Sequence, residues 1–354
     1  SGDIGNVRQP LIKDPVTPRH ADYLVMESTY GDRSHGERPD YIGELTEVLQ
    51  TTFDRGGNVV IPSFAVGRTQ ELLYLIRQIK AEGRVHGHDG FPVFVDSPLA
   101  SRSTTIFREN YMECYDEEAM ALVRSGQNPL WFPDLHISET KEESVAINSD
   151  PTPKVILSAS GMCDAGRIRH HLKYNLWRPE CTVLFVGFQS PGTLGNALLG
   201  GAKEVKLFGD EIQVKASIRQ LSGLSGHADQ DGLANWLRAF DEKPKFVFVN
   251  HGEDAVADHW ARRLREEGYE AEAPYNGAVW IAEGGRVVCA ETGNTRKIVK
   301  TPGVATVRSS AVYDRLVNMG KRLMVVIQHN QGGANKDLAR FASQIASLCD
   351  KWDR

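Results

Sequence analysis

Short, uninterrupted apolar runs alternate along this chain with longer stretches of helical period, and that alternation restricts the fold more than any other feature. The runs are DYLVM (22–26), NVVIPSF (58–64), FPVFVD (91–96), KVILSAS (154–160), TVLFVGF (182–188) and KFVFVN (245–250). Continuous Val/Ile/Phe runs suit strands buried on both faces. Strand, polar turn and helix in succession predict an α/β layered protein. After Arg68, the segment TQELLYLIRQIKAEG carries Leu72, Leu75, Ile76 and Ile79 on one face, with Thr69 as the expected N-cap. After His227, Asp229 is placed to cap DQDGLANWLRAF, where Leu233, Trp236, Leu237 and Phe240 form a one-sided stripe.

A chain of 354 residues with 41% hydrophobic content can bury a large core, and at roughly 150 residues per domain it is expected to hold two or three domains. There is no run of about 18 apolar residues to span a bilayer and no basic-then-apolar leader, so no membrane partner and a cytoplasmic location are the default expectations. The five cysteines (Cys114, Cys163, Cys181, Cys289, Cys349) are far apart and form no CxxC pair. They read as reduced thiols rather than a disulfide framework or zinc ribbon. A net charge of −5 excludes binding of nucleic acid through bulk positive charge, while leaving room for a local basic cleft.

Toward the C-terminus the pattern changes. Val312, Leu316, Met319, Leu323 and Val326 are spaced 4-3-4-3, and Leu338, Phe341, Ile345, Leu348 and Trp352 are spaced 3-4-3-4, with NQGGAN between the runs. This predicts a helical hairpin with a heptad seam, either packed on its own domain, the favoured reading, or serving as a homodimer or partner surface.

Ligand sites in open α/β sheets form beyond the carboxyl ends of strands. Those ends are polar here: DYLVM runs into Glu27, KFVFVN into His251-Gly252-Glu253, EIQVKASIRQLSGLSG into His227, and the opening SGDIG carries Asp3 before glycine. A lone strand-end histidine is ordinarily a surface or satisfied one. Several such positions flanked by glycine instead suggest a divalent-metal site, because imidazole nitrogens and carboxylate oxygens suit zinc and one carboxylate can bridge two ions.

Taken in order, SGDIG, MESTYGD, FAVGRTQELL, VDSPLA, SASGMCDAGRIRHHL, GTLG, SGHAD and NHGE resemble the later part of a metallo-β-lactamase-fold nuclease carrying a β-CASP insertion. That family includes the eukaryotic pre-mRNA 3′-end cleavage endonuclease, its archaeal and bacterial relatives and, more distantly, ribonuclease J. The resemblance covers about residues 1–285 and implies a metallo-β-lactamase αββα core with an inserted β-CASP α/β domain. It implies that Asp3 bridges two zinc ions, that His251 ligates the second, and that Glu27 orients His227. His227 would act as general acid toward the departing 3′ oxygen, since a histidine held beside a carboxylate keeps a raised pKa. Asp229 has two readings, helix cap or orienter of a histidine, and the cap is favoured.

Two strand-to-helix turns read as phosphate handlers, because their free N–H groups suit an anion. One carries Ser63, Arg68 and Thr69; the other carries Ser160, Gly161 and Met162, with Arg167, Arg169, His170 and His171 beyond. The alternative for His170 and His171 is a helix-surface pair near a domain seam. Gly192-Thr193-Leu194-Gly195 is a further glycine turn. VHGHDG (85–90) superficially resembles the metal signature HxHxDH but lacks its last histidine, and reads as a solvated loop.

The resemblance implies that HxHxDH and a further histidine ligand stand before the SGDIG aspartate, whereas this sequence starts with Ser1. The expectation is therefore a fragment, poorly stable and inactive by itself, of a zinc-dependent ribonuclease acting on single-stranded RNA. Its expected parts are residues 1–30 ending the first metallo-β-lactamase half, 31–205 the β-CASP domain, 206–285 the returning core and 286–354 an extension with the hairpin. The rivals are a non-catalytic subunit that holds RNA or protein, and a hydrolase of small esters or thiolesters.

Overall fold

The computed structural model describes residues 1–36, 39–221, 225–283, 286–294, 311–333 and 335–352, excepting the side chains of 311–318, 321, 350 and 352. Ser1–Gly293 and Asn294–Arg354 form two compact units. The first holds, in order, β1 (Tyr23–Glu27), α1 (Tyr41–Asp54), β2 (Val59–Pro62), α2 (Arg68–Ala81), β3 (Val93–Val95), α3 (Pro98–Glu109), α4 (Tyr111–Cys114) and α5 (Glu117–Arg124). It continues through β4 (Leu135–Ile137), α6 (Lys141–Ser149), β5 (Val155–Ser158), α7 (Ile168–Asn175), β6 (Thr182–Phe185), α8 (Leu194–Leu199), β7 (Glu204–Leu207) and β8 (Asp210–Gln213). It closes with β9 (Ser217–Gln220), α9 (Gln230–Arg238), β10 (Phe246–Asn250), α10 (Asp254–Glu266), β11 (Ala271–Glu272), β12 (Val279–Glu283) and β13 (Arg286–Glu291).

Each of the six apolar runs forms a strand. Five of the others, β7, β8, β9, β12 and β13, are polar or half-exposed. A parallel sheet in the order β4-β3-β5-β2-β6-β9 is the centre of the unit. Side chains alternate across it: Val59, Ile61, Val155 and Leu157 enter one core with Leu45 of α1 and Leu72 and Ile76 of α2. Val60, Ile156, Val183 and Phe185 enter another core with Ile168 and Leu172 of α7 and Leu198 of α8. Helices on both faces satisfy a sheet whose strands are apolar throughout. The last strand, β9, lies past residue 205, where the inserted domain was expected to end.

A second parallel sheet, β1-β10-β11, is covered on one face, where Leu24, Met26, Val247 and Val249 pack with Leu233 and Leu237 of α9 and Trp260 and Leu264 of α10. Two antiparallel pairs, β7-β8 and β12-β13, complete the unit. Helix α2 begins at Arg68 with Gly67 as its cap, at φ +78°, instead of at the expected Thr69. The Thr69 hydroxyl turns inward and donates to the Phe64 carbonyl (2.7 Å). The 85–90 segment is a loop between α2 and β3, pinned by His88 Nε2 at 3.1 Å from Asp54 Oδ1. All five cysteines are unpaired, as expected.

In the second unit, α11 (Ala311–His329) and α12 (Asn335–Trp352) are the two expected helices. The side chains of Val312, Leu316 and Trp352 lie outside the described residues. Met319, Val326 and Leu348 are exposed, and Leu338, Phe341 and Ile345 are half-buried.

Candidate active site

β1 and β10 pair in parallel with Glu27 opposite Asn250, so the residues that follow them emerge at one edge of the small sheet. His251 takes φ 49°, a left-handed conformation uncommon for a residue with a side chain. Its carbonyl accepts from Ser28 N (3.2 Å). Gly252 follows because a Cβ there would lie 2.4 Å from the Ser28 hydroxyl. An antiparallel bridge between Gly5 and His227 brings the N-terminal segment alongside, locked by Ala228 N donating to the Ile4 carbonyl (2.8 Å).

These constraints gather the four residues expected at the centre. Glu27 is buried, and its carboxylate accepts from Ile4 N. His227 Nδ1 lies 2.9 and 3.1 Å from the two Glu27 oxygens. A proton on Nδ1 shared with Glu27 leaves Nε2 facing Asp3 Oδ2 at 4.0 Å, while His251 Nε2 lies 3.8 Å from Asp3 Oδ1. The two imidazoles stack with centroids 5.6 Å apart. Burial pushes the Glu27 carboxyl up, but hydrogen bonds from His227, Thr29 and Ile4 outweigh it and hold the pKa below the usual range. The hydrogen bond to Glu27 in turn raises His227, against a smaller opposing effect of burial.

Sequence reasoning passed over Thr29, Tyr30 and His35. Thr29 Oγ1 lies 3.4 Å from His227 Nδ1 and 3.2 Å from His251 Nδ1, between the two rings. His35 Nε2 is 3.1 Å from the His227 carbonyl, and its ring meets Tyr30 edge-on at 4.6 Å. Thr29 and Tyr30 stand within MESTYGD and were open to discovery there; nothing local marks His35. Asp229 caps α9 through Gly232 N (2.8 Å), and its other oxygen takes His35 N (2.9 Å) and the Ser34 hydroxyl (3.1 Å).

Among the described residues, Asp3, His227 and His251 each offer a donor atom, all within 4.8 Å of one another. Two imidazoles and a carboxylate suit a borderline-soft divalent ion such as zinc.

The expected phosphate handlers gather at the carboxyl edge of the larger sheet, on the loops after β2, β5 and β6. Several are already engaged. Arg68 is buried and ion-paired with Glu71, and Ser63 and Thr69 share a hydrogen bond (2.9 Å). His171 is fully buried between Asp96 (2.7 Å) and Asn148 (3.0 Å). Arg167 donates to Asp96 (2.7 Å) and to the carbonyls of Ser138 (3.2 Å) and Glu139 (2.8 Å). These side chains hold the turns in shape, and His171 is buried, not the surface residue of the alternative reading. His170 is exposed and stacks on Phe208 at 4.3 Å. Ser160 keeps a buried hydroxyl without a hydrogen-bond partner among the described residues. Gly161 passes so close to Phe64 that a Cβ would sit 3.1 Å from its ring. Thr193 caps α8, and Gly195 N donates to the Met162 carbonyl (3.1 Å), tying the glycine turn to the loop after β5.

Comparison with known proteins identifies the family. Residues 69–198 match the model of the Beta-Casp domain, and 211–274 match that of the Zn-dependent metallo-hydrolase RNA specificity domain. The chain belongs to the β-CASP family of metallo-β-lactamase-fold proteins. Among family members it is 39% identical over 256 residues to Ribonuclease TTHA0252 of Thermus thermophilus, covering 72% of this chain and 57% of that protein. It is 31% identical over 264 residues to Transcription termination factor FttA of Pyrococcus abyssi, covering 72% of this chain and 40% of that protein. The FttA of Methanocaldococcus jannaschii is 32% identical over 276 residues, with 75% and 42% covered. The chain thus spans about half the length of these β-CASP relatives or less. No described helix is long and apolar enough to cross a membrane.

Proposed function

We propose that this chain is part of a zinc-dependent ribonuclease that hydrolyses phosphodiester bonds of single-stranded RNA. The observation that carries the reading is the Glu27–His227 pair, which turns a histidine of raised pKa toward Asp3 and His251. Glu27 fixes the His227 ring through Nδ1, and Nε2 presents a proton to the departing 3′ oxygen. Asp3 and His251 would hold metal, with Asp3 bridging two zinc ions. Bound metal supplies the positive charge that polarises a phosphoryl oxygen and acidifies water. Two ions need more donors than this cluster offers, and we place the remainder in the part of the whole protein that corresponds to the unmatched length of the relatives.

Single-stranded substrate is supported by Phe64 and Phe188, both roughly half exposed at the carboxyl ends of the adjacent strands β2 and β6, since unstacked bases bind aromatic faces. Ser160 and Gly161 would meet phosphate beside them. We assign residues 1–30 and about 221–285 to the metallo-β-lactamase core, the segment between, which includes β9 of the larger sheet, to the β-CASP domain, and the C-terminal helices to homodimerisation. Five unpaired cysteines favour a reducing, cytoplasmic setting. A subunit that merely holds RNA would have no use for the Glu27–His227 pair.

A second reading has a specific basis: His227 Nε2 is 4.0 Å from Asp3, close enough for His227 to be a metal ligand itself. His227→Ala in the full-length protein separates the two. General-acid loss lowers RNA cleavage by about 10²–10⁴ with zinc content retained; loss of a zinc equivalent makes His227 a ligand, and unchanged cleavage removes it from both roles.

A further inference from the structure

The carboxyl edge of the larger sheet runs from β9, whose chain leads into His227, to the opposite edge strand β4. Beyond β4 lies a cleft of roughly 470 Å³ that the catalytic reading does not use. Helix α3 forms one wall, presenting Ser101, Arg102, Thr105 and Arg108 along a single stripe; the loop before β4 forms the other, with Asn128 and Trp131. Arg102 and Arg108 are exposed and have no carboxylate partner among the described residues, whereas most other arginines of this unit, Arg68, Arg124 and Arg167 among them, are ion-paired. Trp131 is 55% exposed, which is costly for an indole without a partner. Asn128 uses its side-chain oxygen on Leu130 N (2.9 Å), leaving its amide hydrogens to face outward. Glu139, at the end nearest the carboxyl edge, is the lone carboxylate of the lining.

The geometry points to a distal binding groove for single-stranded RNA, with phosphates on Arg102 and Arg108 and a base stacked on Trp131. The inference rests on the RNA reading above and extends it. Five strand spacings separate β4 from β9, roughly 24 Å, and α3 from Pro98 to Arg108 adds about 15 Å. A strand that leaves the catalytic end along the carboxyl edge therefore enters the groove at Pro98 and Glu139. Two unpaired guanidiniums and one flat aromatic are the elements that bind a single strand without sequence preference. On a chain of net charge −5, such a local basic cleft is where a polyanion is held.

The test uses the full-length protein in EDTA, so that binding is read without cleavage, and a fluorescein-labelled oligouridylate of about 12 nucleotides. Arg102→Ala/Arg108→Ala is expected to weaken binding about tenfold or more. It should also flatten the slope of log K against log salt by about 1.4, two phosphates at about 0.7 each. Trp131→Ala should weaken binding about tenfold, with Trp131→Phe restoring most of it. Thermal melts equal to wild type show that all variants are folded. Wild-type binding that the groove variants leave within twofold, at unchanged salt slope, overturns the groove and spares the RNA reading. No binding by the wild type overturns both.

Discussion

Asp96 shows how much rests on one buried carboxylate. It is fully buried after β3 and accepts from Arg167, from His171 and from the Ser144 hydroxyl (2.6 Å), so the loops after β3 and β5 and helices α6 and α7 meet at it. Burial pushes its pKa up, but the hydrogen bonds from His171, Ser144 and Arg167 prevail and hold it at about 2. A depressed carboxylate pKa contributes stability that is present above the unfolded value, near 4, and is lost as pH falls toward 2. The size follows from nearly two pH units, about 2 kcal/mol. Asp96→Asn is expected to destabilise by about 3 kcal/mol, because it leaves a half-buried guanidinium and a buried imidazole short of an acceptor. Urea unfolding at pH 6 and pH 3 checks both: wild type loses about half of this stability between the two pH values, since pH 3 still lies above the folded pKa, and the variant has none of it to lose. VDSPLA stands out in the sequence as a motif, but the role of its aspartate is set only where Arg167 and His171, distant in the chain, close on it.

At the level of elements, the continuous apolar strands were legible because burial on both faces leaves no room for polar residues. β4, β7 and β9 were not, because edge or half-exposed strands need only alternate. The start of α2 was misplaced by two residues, since Gly67 supplies a positive φ that no propensity argument at Thr69 could reveal. A tighter constraint sits at the entry to β2. A Cβ on Gly57 would lie 1.9 Å from the Glu180 carbonyl oxygen, where Thr182 N donates to the Asn58 carbonyl (2.9 Å) and Thr52 meets Thr182 (2.7 Å). Gly57→Ala must push β2 and β6 apart at their start. We expect it to cost about 3 kcal/mol, within the range for overpacked cores, read as a lower midpoint in urea. Gly56→Ala is the contrast, since its added Cβ meets nothing within 4 Å and only its φ of +75° is strained.

For the whole molecule, the buried clusters that flank both parallel sheets lie within Ser1–Gly293. A chain ending at Gly293 should therefore fold without the C-terminal helices, losing only their share of the far-ultraviolet dichroism, and melt within a few degrees of the full chain. The C-terminal helices expose Met319, Met324, Val325 and Leu348, apolar surface of the kind that a partner covers. In sedimentation velocity the full chain is expected to run as a dimer and the chain ending at Gly293 as a monomer. A full chain that runs as a monomer refutes the homodimer, and the heptad spacing then serves only the pair itself.

By itself the sequence determined the α/β class, the buried strands, the helix after Asp229 and the candidate ligands at strand ends, because these follow from local periodicity, capping and glycine placement. Only the tertiary structure decided which of those candidates converge. Glu27, His227, His251 and Asp3 meet because β1 pairs with β10 in one register and Gly5 bridges His227 across more than half of the chain. Arg68, Arg167 and His171 face inward for the same kind of reason. Whether a charged side chain meets solvent or a buried partner depends on contacts between segments far apart in sequence, and local pattern carries no record of them.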